Sequence, residues 1–403
     1  MRQLHPTPNN KLSLPLPGLD ALAASAALVQ LIHAEIAANA GWISFARYME
    51  LALYAPRLGY YSGGAAKLGR DGDFTTAPEM SPLFGATLAH VAANLFAQTS
   101  ANIMEFGAGT GRLAFDILFE CRQANVQIER YFIVELSGEL KARQEELLKD
   151  FPQVRWLQSM PQAFSGVVLG NEVLDAMPVH LVLKTEEHWV ECGVSLHLQG
   201  DESQFVLSQR ACAADLLSQI PNSEQLPIGY LTEVHPVAMG FMRSLGQMLR
   251  AGHSNNANIN NKGAVAIFFD YGFPASEYYL EQRSQGTLMC HYRHHAHPDP
   301  FYLPGLQDIT AHVDFTAMAQ VAVDTGLDLL AYTSQAGFLL EAGIAQLLAR
   351  TSADLPMQYL PKANAVQKLI SPAEMGELFK VLVVGVGVQL PSKLVKHDRS
   401  HRL

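Results

Sequence analysis

The stretch Glu105-Phe106-Gly107-Ala108-Gly109-Thr110-Gly111 decides the fold. It lies between a short apolar strand pattern, Ile103 to Phe106, and an amphipathic helix pattern that opens at Arg112. On that helix Leu113, Ala114, Ile117, Leu118 and Cys121 share one face. Glycines at alternate positions, where a chain leaves a strand and enters a helix, give unusual backbone torsion and let a ligand approach closely. A turn that binds nothing would use the same small residues for packing alone. A nicotinamide dinucleotide fingerprint needs its third glycine where Arg112 stands, so the spacing disfavours that rival.

Outward from the loop, strand and helix patterns alternate: Tyr131 to Val134, a helix from Glu139, then Val167 to Leu169. Such alternation predicts a parallel sheet with crossover helices, an α/β Rossmann-like core. An acid followed by Gly-x-Gly-x-Gly suits a cofactor without pyrophosphate. S-adenosylmethionine fits: its methionine part would pass Gly107, Gly109 and Gly111, and Glu105 would act on its ammonium group, directly or through water. Glu135 ends the next strand, 24 residues after Gly111. That is close to the ~20-residue offset of an acid that grips ribose hydroxyls, which its two carboxylate oxygens can accept. Asn171-Glu172-Val173-Leu174-Asp175-Ala176-Met177-Pro178 follows Val167 to Leu169 and so opens at the carboxyl edge of the sheet, where ligands of such folds bind. Asn171 is expected to face the cofactor, with Glu172 and Asp175 orienting a cationic substrate. The alternative is a cluster that caps a following helix.

Further out the patterns are less regular. Residues 1–17 are polar and proline-rich, and a helical pattern follows to about Ala38. Trp42 to Glu79 has no sustained period and reads as an ordered loop region; Ser81-Pro82 then looks like a helix start. Val182 to Val206 alternates as antiparallel strands would, Pro236 to Leu249 is a helix pattern, and Asn255 to Asn261 reads as an exposed loop. Ala264 to Phe269 and Phe379 to Val388 resume the core sheet, and Lys393 to Leu403 reads as a frayed basic tail. The expected organisation is therefore an N-terminal helical and cofactor-covering segment over 1–80 and the first part of the core over 81–180. An α+β substrate-side insertion over 181–260, the rest of the core with a His-rich loop over 261–390, and a tail over 391–403 complete it.

With 403 residues, 49% of them hydrophobic and 16% charged, the chain can bury a large core. A net charge of −10 argues against a nucleic-acid partner, whose phosphates need clustered Lys and Arg. Ala21 to Ile32 is broken by Ser25 and Gln30 and reads as too short and too polar to insert in a membrane. Met1 to Pro17 carries only Arg2 and Lys11, unlike a signal or transit segment, so the expectation is cytoplasmic. The four cysteines are far apart, which predicts reduced thiols. His291, His294, His295 and His297 are dense but match no metal-ligand spacing, and a proline-containing loop without metal is expected there.

Taken together the motifs resemble the protein-arginine methyltransferase family of the mitochondrial complex I assembly-factor methyltransferases and their bacterial relatives. The resemblance rests on Gly59-Tyr60-Tyr61; Gly72-Asp73-Phe74-Thr75-Thr76 with Pro78-Glu79 and Phe84-Gly85; and Glu105 to Gly111. It continues in Asn171-Glu172 with Asp175-Ala176 and Pro178; Asp270-Tyr271-Gly272; Gly286-Thr287-Leu288; Asp308-Ile309-Thr310; and His312-Val313-Asp314-Phe315. It implies a class I methyltransferase core, S-adenosylmethionine as cofactor, Gly72 and its neighbours closing over it, and a protein substrate. In the mitochondrial members the substrate is an arginine on a complex I subunit.

Arginine stays protonated and is a poor nucleophile, so carboxylates must hold positive charge on the nitrogens that do not react. Glu172, Asp175 and Glu233, the last in Leu231-Thr232-Glu233-Val234-His235-Pro236, are the candidates. Small-molecule methyl transfer and a non-catalytic, cofactor-binding assembly factor are the competing functions.

Overall fold

A computed structural model describes residues 14–63, 75–200, 202–256 and 262–403. The described chain divides into two compact units. The larger comprises Thr75–Asp175, Met239–Ser276 and Val313–Leu403. The smaller comprises the N-terminal segment, Ala176–Ala238 and Glu277–His312.

The larger unit is built on an eight-stranded sheet: β1 (Asn102–Phe106), β2 (Arg130–Val134), β3 (Val154–Leu157), β4 (Val167–Asn171), β5 (Ala264–Phe273), β6 (Val313–Asp314), β7 (Asp328–Ser334) and β8 (Phe379–Val386). Across the sheet the order is β3-β2-β1-β4-β5-β8-β7, with β6 paired to the end of β5. All pairs from β3 to β5 are parallel, whereas β8 runs antiparallel to both β5 and β7. The chain order reverses direction at β1 and β4, so the crevice beyond their carboxyl ends is the switch point at which such sheets bind ligands. β4 is buried along its whole length, as a central parallel strand must be.

The helices α1 (Pro82–Leu95), α2 (Arg112–Gln123) and α3 (Gly138–Leu147) precede or connect the first strands. Ser81 Oγ caps α1 by accepting from the Leu83 N–H, with Pro82 at the first helical position. Phe84, Leu88, Leu113, Ile117, Ile103, Tyr131, Val167 and Ile267 join one buried cluster, which shows why those periodic positions are apolar.

The smaller unit carries an antiparallel sheet in which Ile43–Ser44, Trp189–Gln199, His180–Lys184 and Leu231–Val234 lie in that order, with Glu202–Ala211 paired to Trp189–Gln199. A second sheet pairs Met289–Tyr292 with both His295–His297 and Asp308–Thr310. The unit has its own core, drawn from Leu28, Ile32, Phe45, Tyr48, Leu181 and Ile309 among others.

Several sequence expectations need correction. The Trp42–Glu79 region contains the helix Phe45–Tyr54, capped by Ser44, and the short helix Ala77–Met80. Phe45, Tyr48, Met49, Ala52 and Leu53 have helical spacing, but surrounding Tyr and Gly obscured it. The N-terminal helix spans Leu19–Ala38, with the length and mean hydropathy, 1.6, of a membrane span. Here Ser25, Leu28, Ile32 and Ile36 are its buried residues. The C-terminal tail is anchored: Leu394 is buried, the Arg399 N–H donates to Tyr332 O, Asp398 accepts from the Tyr332 N–H, and the Arg399 guanidinium pairs with Glu377. The unit boundaries also differ, since Met239 onward joins the core while Glu277–His312, with the histidines, joins the smaller unit. The expected loop over Asn255 to Asn261 begins as the end of the helix Pro236–Asn256, and 257–261 lie outside the described residues.

Candidate active site

The glycine loop leaves β1 with φ of 67° at Gly107, 52° at Gly109 and 85° at Gly111. These left-handed torsions are open to glycine at little cost. A Cβ at Gly107 would also stand 2.9 Å from Val173 Cγ2, so the loop is closely packed on the segment after β4. The loop hydroxyl of Thr110 donates to Glu79, which joins the Pro78-Glu79 motif to the same place.

Glu105, on β1, is 2% exposed, and its Oε2 accepts from the Tyr131 hydroxyl at 2.6 Å. Burial pushes its pKa up to about 7; the Tyr131 bond opposes that shift, and the charge of Glu135 adds to it. Tyr131, on the adjacent strand, is a partner that the sequence reading did not include.

Glu135 follows β2 and is half-buried. Its Oε1 accepts from the Ser137 N–H at 2.7 Å and its Oε2 from Gln144 Nε2 at 3.0 Å. Burial raises its pKa, and these donors restrain the rise. Each carboxylate oxygen has a second lone pair, so two ribose hydroxyls can be accommodated. Leu136, next in the chain, is 81% exposed and supplies apolar surface beside the acid. Gln144, on α3, was missed because one glutamine on a polar helix carries no periodic signal.

After β4 the chain turns sharply. Glu172 has φ 54°, the left-handed region that a residue with a Cβ seldom enters, and its N–H donates to Phe269 O. Asn171 Nδ2 donates to Glu172 Oε1 at 3.0 Å, while the buried Asn171 Oδ1 has no hydrogen-bond partner among the described residues. One oxygen of Asp270, Oδ2, accepts from the N–H groups of Val173, Leu174 and Asp175 at 3.1, 2.8 and 3.3 Å. Burial and then the charge of Asp175 push the Asp270 pKa well above the usual range, and those donors pull it back. Asp270 thus shapes the turn that carries Glu172 and Asp175, and it was legible only as part of the Asp270-Tyr271-Gly272 motif. No helix begins at this turn, since residues 172–179 lead into the strand His180–Lys184. The capping alternative for Asp175 is therefore removed.

The larger unit thus holds Glu105, the loop glycines, Glu135, Asn171, Glu172 and Asp175 together. Glu233 is in the smaller unit and is fully buried. Its Oε1 accepts from the Thr287 and Leu288 N–H groups at 2.7 and 3.0 Å, and its Oε2 from the Tyr278 and Thr287 hydroxyls, both at 3.1 Å. Four donors fill the acceptor capacity of a carboxylate. The structure corrects the expectation that Glu233 pairs with substrate: it anchors the turn at Gly286. Gly72 lies outside the described residues. Of the histidines, His291, His295 and His297 sit in strands rather than a loop, with His297 buried edge-on to Tyr302. Among the described residues no three His, Cys, Asp or Glu side chains gather as a metal site.

The sheet order, the left-handed glycine loop and the acid after β2 define a class I methyltransferase core. A family model for S-adenosyl-L-methionine-dependent methyltransferases matches residues 86–333, and the chain belongs to that family. A crystal structure of a Burkholderia thailandensis protein bound to S-adenosyl-homocysteine is 51% identical. The likeness covers 97% of this chain and 100% of that one, with a TM-score of 0.88. The mitochondrial protein arginine methyltransferase NDUFAF7 of Bos taurus is 29% identical over 400 residues, which is 90% of this chain and 82% of that protein. The Drosophila melanogaster homolog is 27% identical over 389 residues, 87% of this chain and 83% of its own length. The chain is an S-adenosylmethionine-dependent methyltransferase.

Proposed function

We propose that the chain methylates an arginine side chain of a partner protein, with Glu172 acting on the substrate and Glu105, Glu135, Asn171 and the loop glycines on the cofactor. The observation that carries this reading is the turn after β4, where Glu172 is held left-handed beside Asn171. Such a torsion costs about 1–3 kcal/mol and persists only where its surroundings impose it, most often at functional sites. Curated relatives that are named protein arginine methyltransferases support the choice of acceptor.

The cofactor supplies a methyl group on a sulfonium, and its transfer breaks a carbon–sulfur bond as a carbon–nitrogen bond forms on the guanidinium. Glu172 and Asp175 keep positive charge on the nitrogens that do not react, and a carboxylate takes up the proton that the reacting nitrogen releases. Arginine's planar fork makes that pairing geometrically demanding, and a turn after β4 held by Asp270 supports it. Asn171 Oδ1, without a hydrogen-bond partner among the described residues, offers an acceptor to an N–H of the bound cofactor. Exposed Leu136 provides the apolar surface beside the ribose on which an adenine can rest.

Extracts from cells lacking this chain, incubated with the pure protein and methyl-labelled S-adenosylmethionine, should yield labelled methylarginine in protein hydrolysates. Label confined to small molecules, or to another amino acid, would overturn the proposal. Glu172→Gln should bind S-adenosyl-homocysteine within about threefold of the parent while transfer falls roughly 10²-fold or more. Near-normal turnover would remove Glu172 from the reaction.

A further inference from the structure

Helix α3 is polar almost throughout, with the sequence Gly-Glu-Leu-Lys-Ala-Arg-Gln-Glu-Glu-Leu from Gly138 to Leu147, yet its one buried residue is Gln144, at 0% exposure. A position that a helix turns into the core is normally apolar, because a buried amide must have its hydrogen bonds returned. Here they are returned in full. Nε2 donates one hydrogen to Gly109 O at 2.9 Å and the other to Glu135 Oε2 at 3.0 Å, while Oε1 accepts from Trp156 Nε1 at 2.9 Å. The indole can only donate and the other two partners can only accept, so the orientation of the amide is fixed by chemistry. A Cβ on Gly111 would reach Gln144 Cγ at 3.2 Å, which places the methylene stem against the glycine loop as well.

We infer that Gln144 is a positioning residue for the cofactor: Gly109 and Trp156 hold its amide, and the amide holds the Glu135 carboxylate in the plane that receives the ribose. This rests on the reading that Glu135 grips the ribose. A carboxylate on a short loop could rotate freely, and each rotamer lost on binding would weaken the complex. With Oε1 tied to Ser137 N–H and Oε2 tied to Gln144, both oxygens are already set, and the carboxylate keeps acceptor capacity to offer a ligand. The donor is neutral, so the orientation is imposed without cancelling the negative charge. A basic residue in its place would hold the acid as firmly but would compete with the ribose for it.

The test is calorimetric binding of S-adenosyl-homocysteine to the full chain and to Q144M, E135A and the double variant, each first shown to be folded at the temperature used. Q144M keeps the length and packing of the side chain but has no donor. It should weaken binding about tenfold, the scale of a hydrogen bond to a charged group, and E135A by at least as much. If Gln144 acts through Glu135, the double variant should be within about threefold of E135A alone, since the two changes remove one arrangement. A purely structural glutamine would lower the melting temperature and leave affinity unchanged. Q144M binding within twofold of the parent, or a double variant whose loss is the product of the single losses, overturns the inference while Glu135 stays in the site. E135A binding like the parent instead removes Glu135 from the site. Should Q144M fail to fold, W156F removes the indole donor that orients the amide. It is expected to weaken binding about threefold in the parent background and not at all in E135A, whereas equal losses in both backgrounds would count against the inference.

Discussion

Glu105 lies within β1 and Glu135 just after the neighbouring β2, and the surroundings of the two acids differ. Glu135 is half-open, with Ser137 N–H and Gln144 Nε2 donating to its two oxygens. Glu105 is sealed against Tyr131 with a pKa near neutrality, about 7. Below the usual carboxylate range both folded and unfolded chains hold the proton and burial is without penalty. Between that range and about 7 the unfolded chain ionises while the folded chain keeps its proton, so stability falls across this window and levels off above about 7. On the proposal that Glu105 acts on the cofactor, binding should move oppositely, because the ammonium of S-adenosyl-homocysteine is better matched by the ionised acid. Affinity should therefore rise about tenfold between pH 6 and pH 8, the change in ionised fraction across a pKa near 7. Glu105→Gln should show a flat profile over that range. A parent profile equally flat would mean that Glu105 serves the fold alone.

Among the elements, those with strong periods were legible: the strands at Ile103, Tyr131, Val167, Ala264 and Phe379, and the helices at Arg112, Glu139 and Pro236, all occur where the pattern placed them. What escaped was decided by contacts between distant segments. The helix Phe45–Tyr54 is written in Tyr and Ala as much as in Leu, the tail is held by Asp398 and Arg399, and the buried Gln144 is bonded to Trp156, Gly109 and Glu135. Glu233 was visible as an acid in the stretch Leu231 to Pro236, but only the fold reveals that the turn at Gly286 wraps it. That turn makes a prediction. Gly286 has φ 75°, and a Cβ there would meet Glu233 Oε1 at 2.4 Å, with no room to move because the oxygen is bonded to two backbone N–H groups. Gly286→Ala should destabilise the chain by about 1–3 kcal/mol, the range for a strained torsion. Glu233→Ala, which leaves those N–H groups buried and unpaired, should cost at least about 1–3 kcal/mol. Chemical denaturation would measure both. An unchanged midpoint for Glu233→Ala would return that residue to the list of substrate-facing acids.

On the scale of the whole molecule, the smaller unit is assembled from three separate segments and the larger from three others, so no single cut yields either one. Of the residues proposed for the cofactor, Glu105, the loop glycines, Glu135 and Asn171 nevertheless all fall in the larger unit, in or just after β1, β2 and β4. Ligand binding energy should therefore enter the molecule through that unit. A ligand that binds only the folded state at 100 times its Kd adds about 2.7 kcal/mol of stability. For a unit of this size each kcal/mol moves Tm by about 2–4 °C, so saturating S-adenosyl-homocysteine should raise the transition of the larger unit by about 5–10 °C. Hydrogen exchange should locate the same energy, with slowed amides over Gly107–Arg112, Glu135–Gln144 and Asn171–Asp175 and no comparable slowing along Glu202–Ala211. Because stabilisation grows with the logarithm of ligand concentration, a second tenfold addition should lift Tm by a further step rather than reach a plateau. A transition indifferent to the ligand would disprove the placement of the cofactor, and protection centred on Glu202–Ala211 would move it to the other unit.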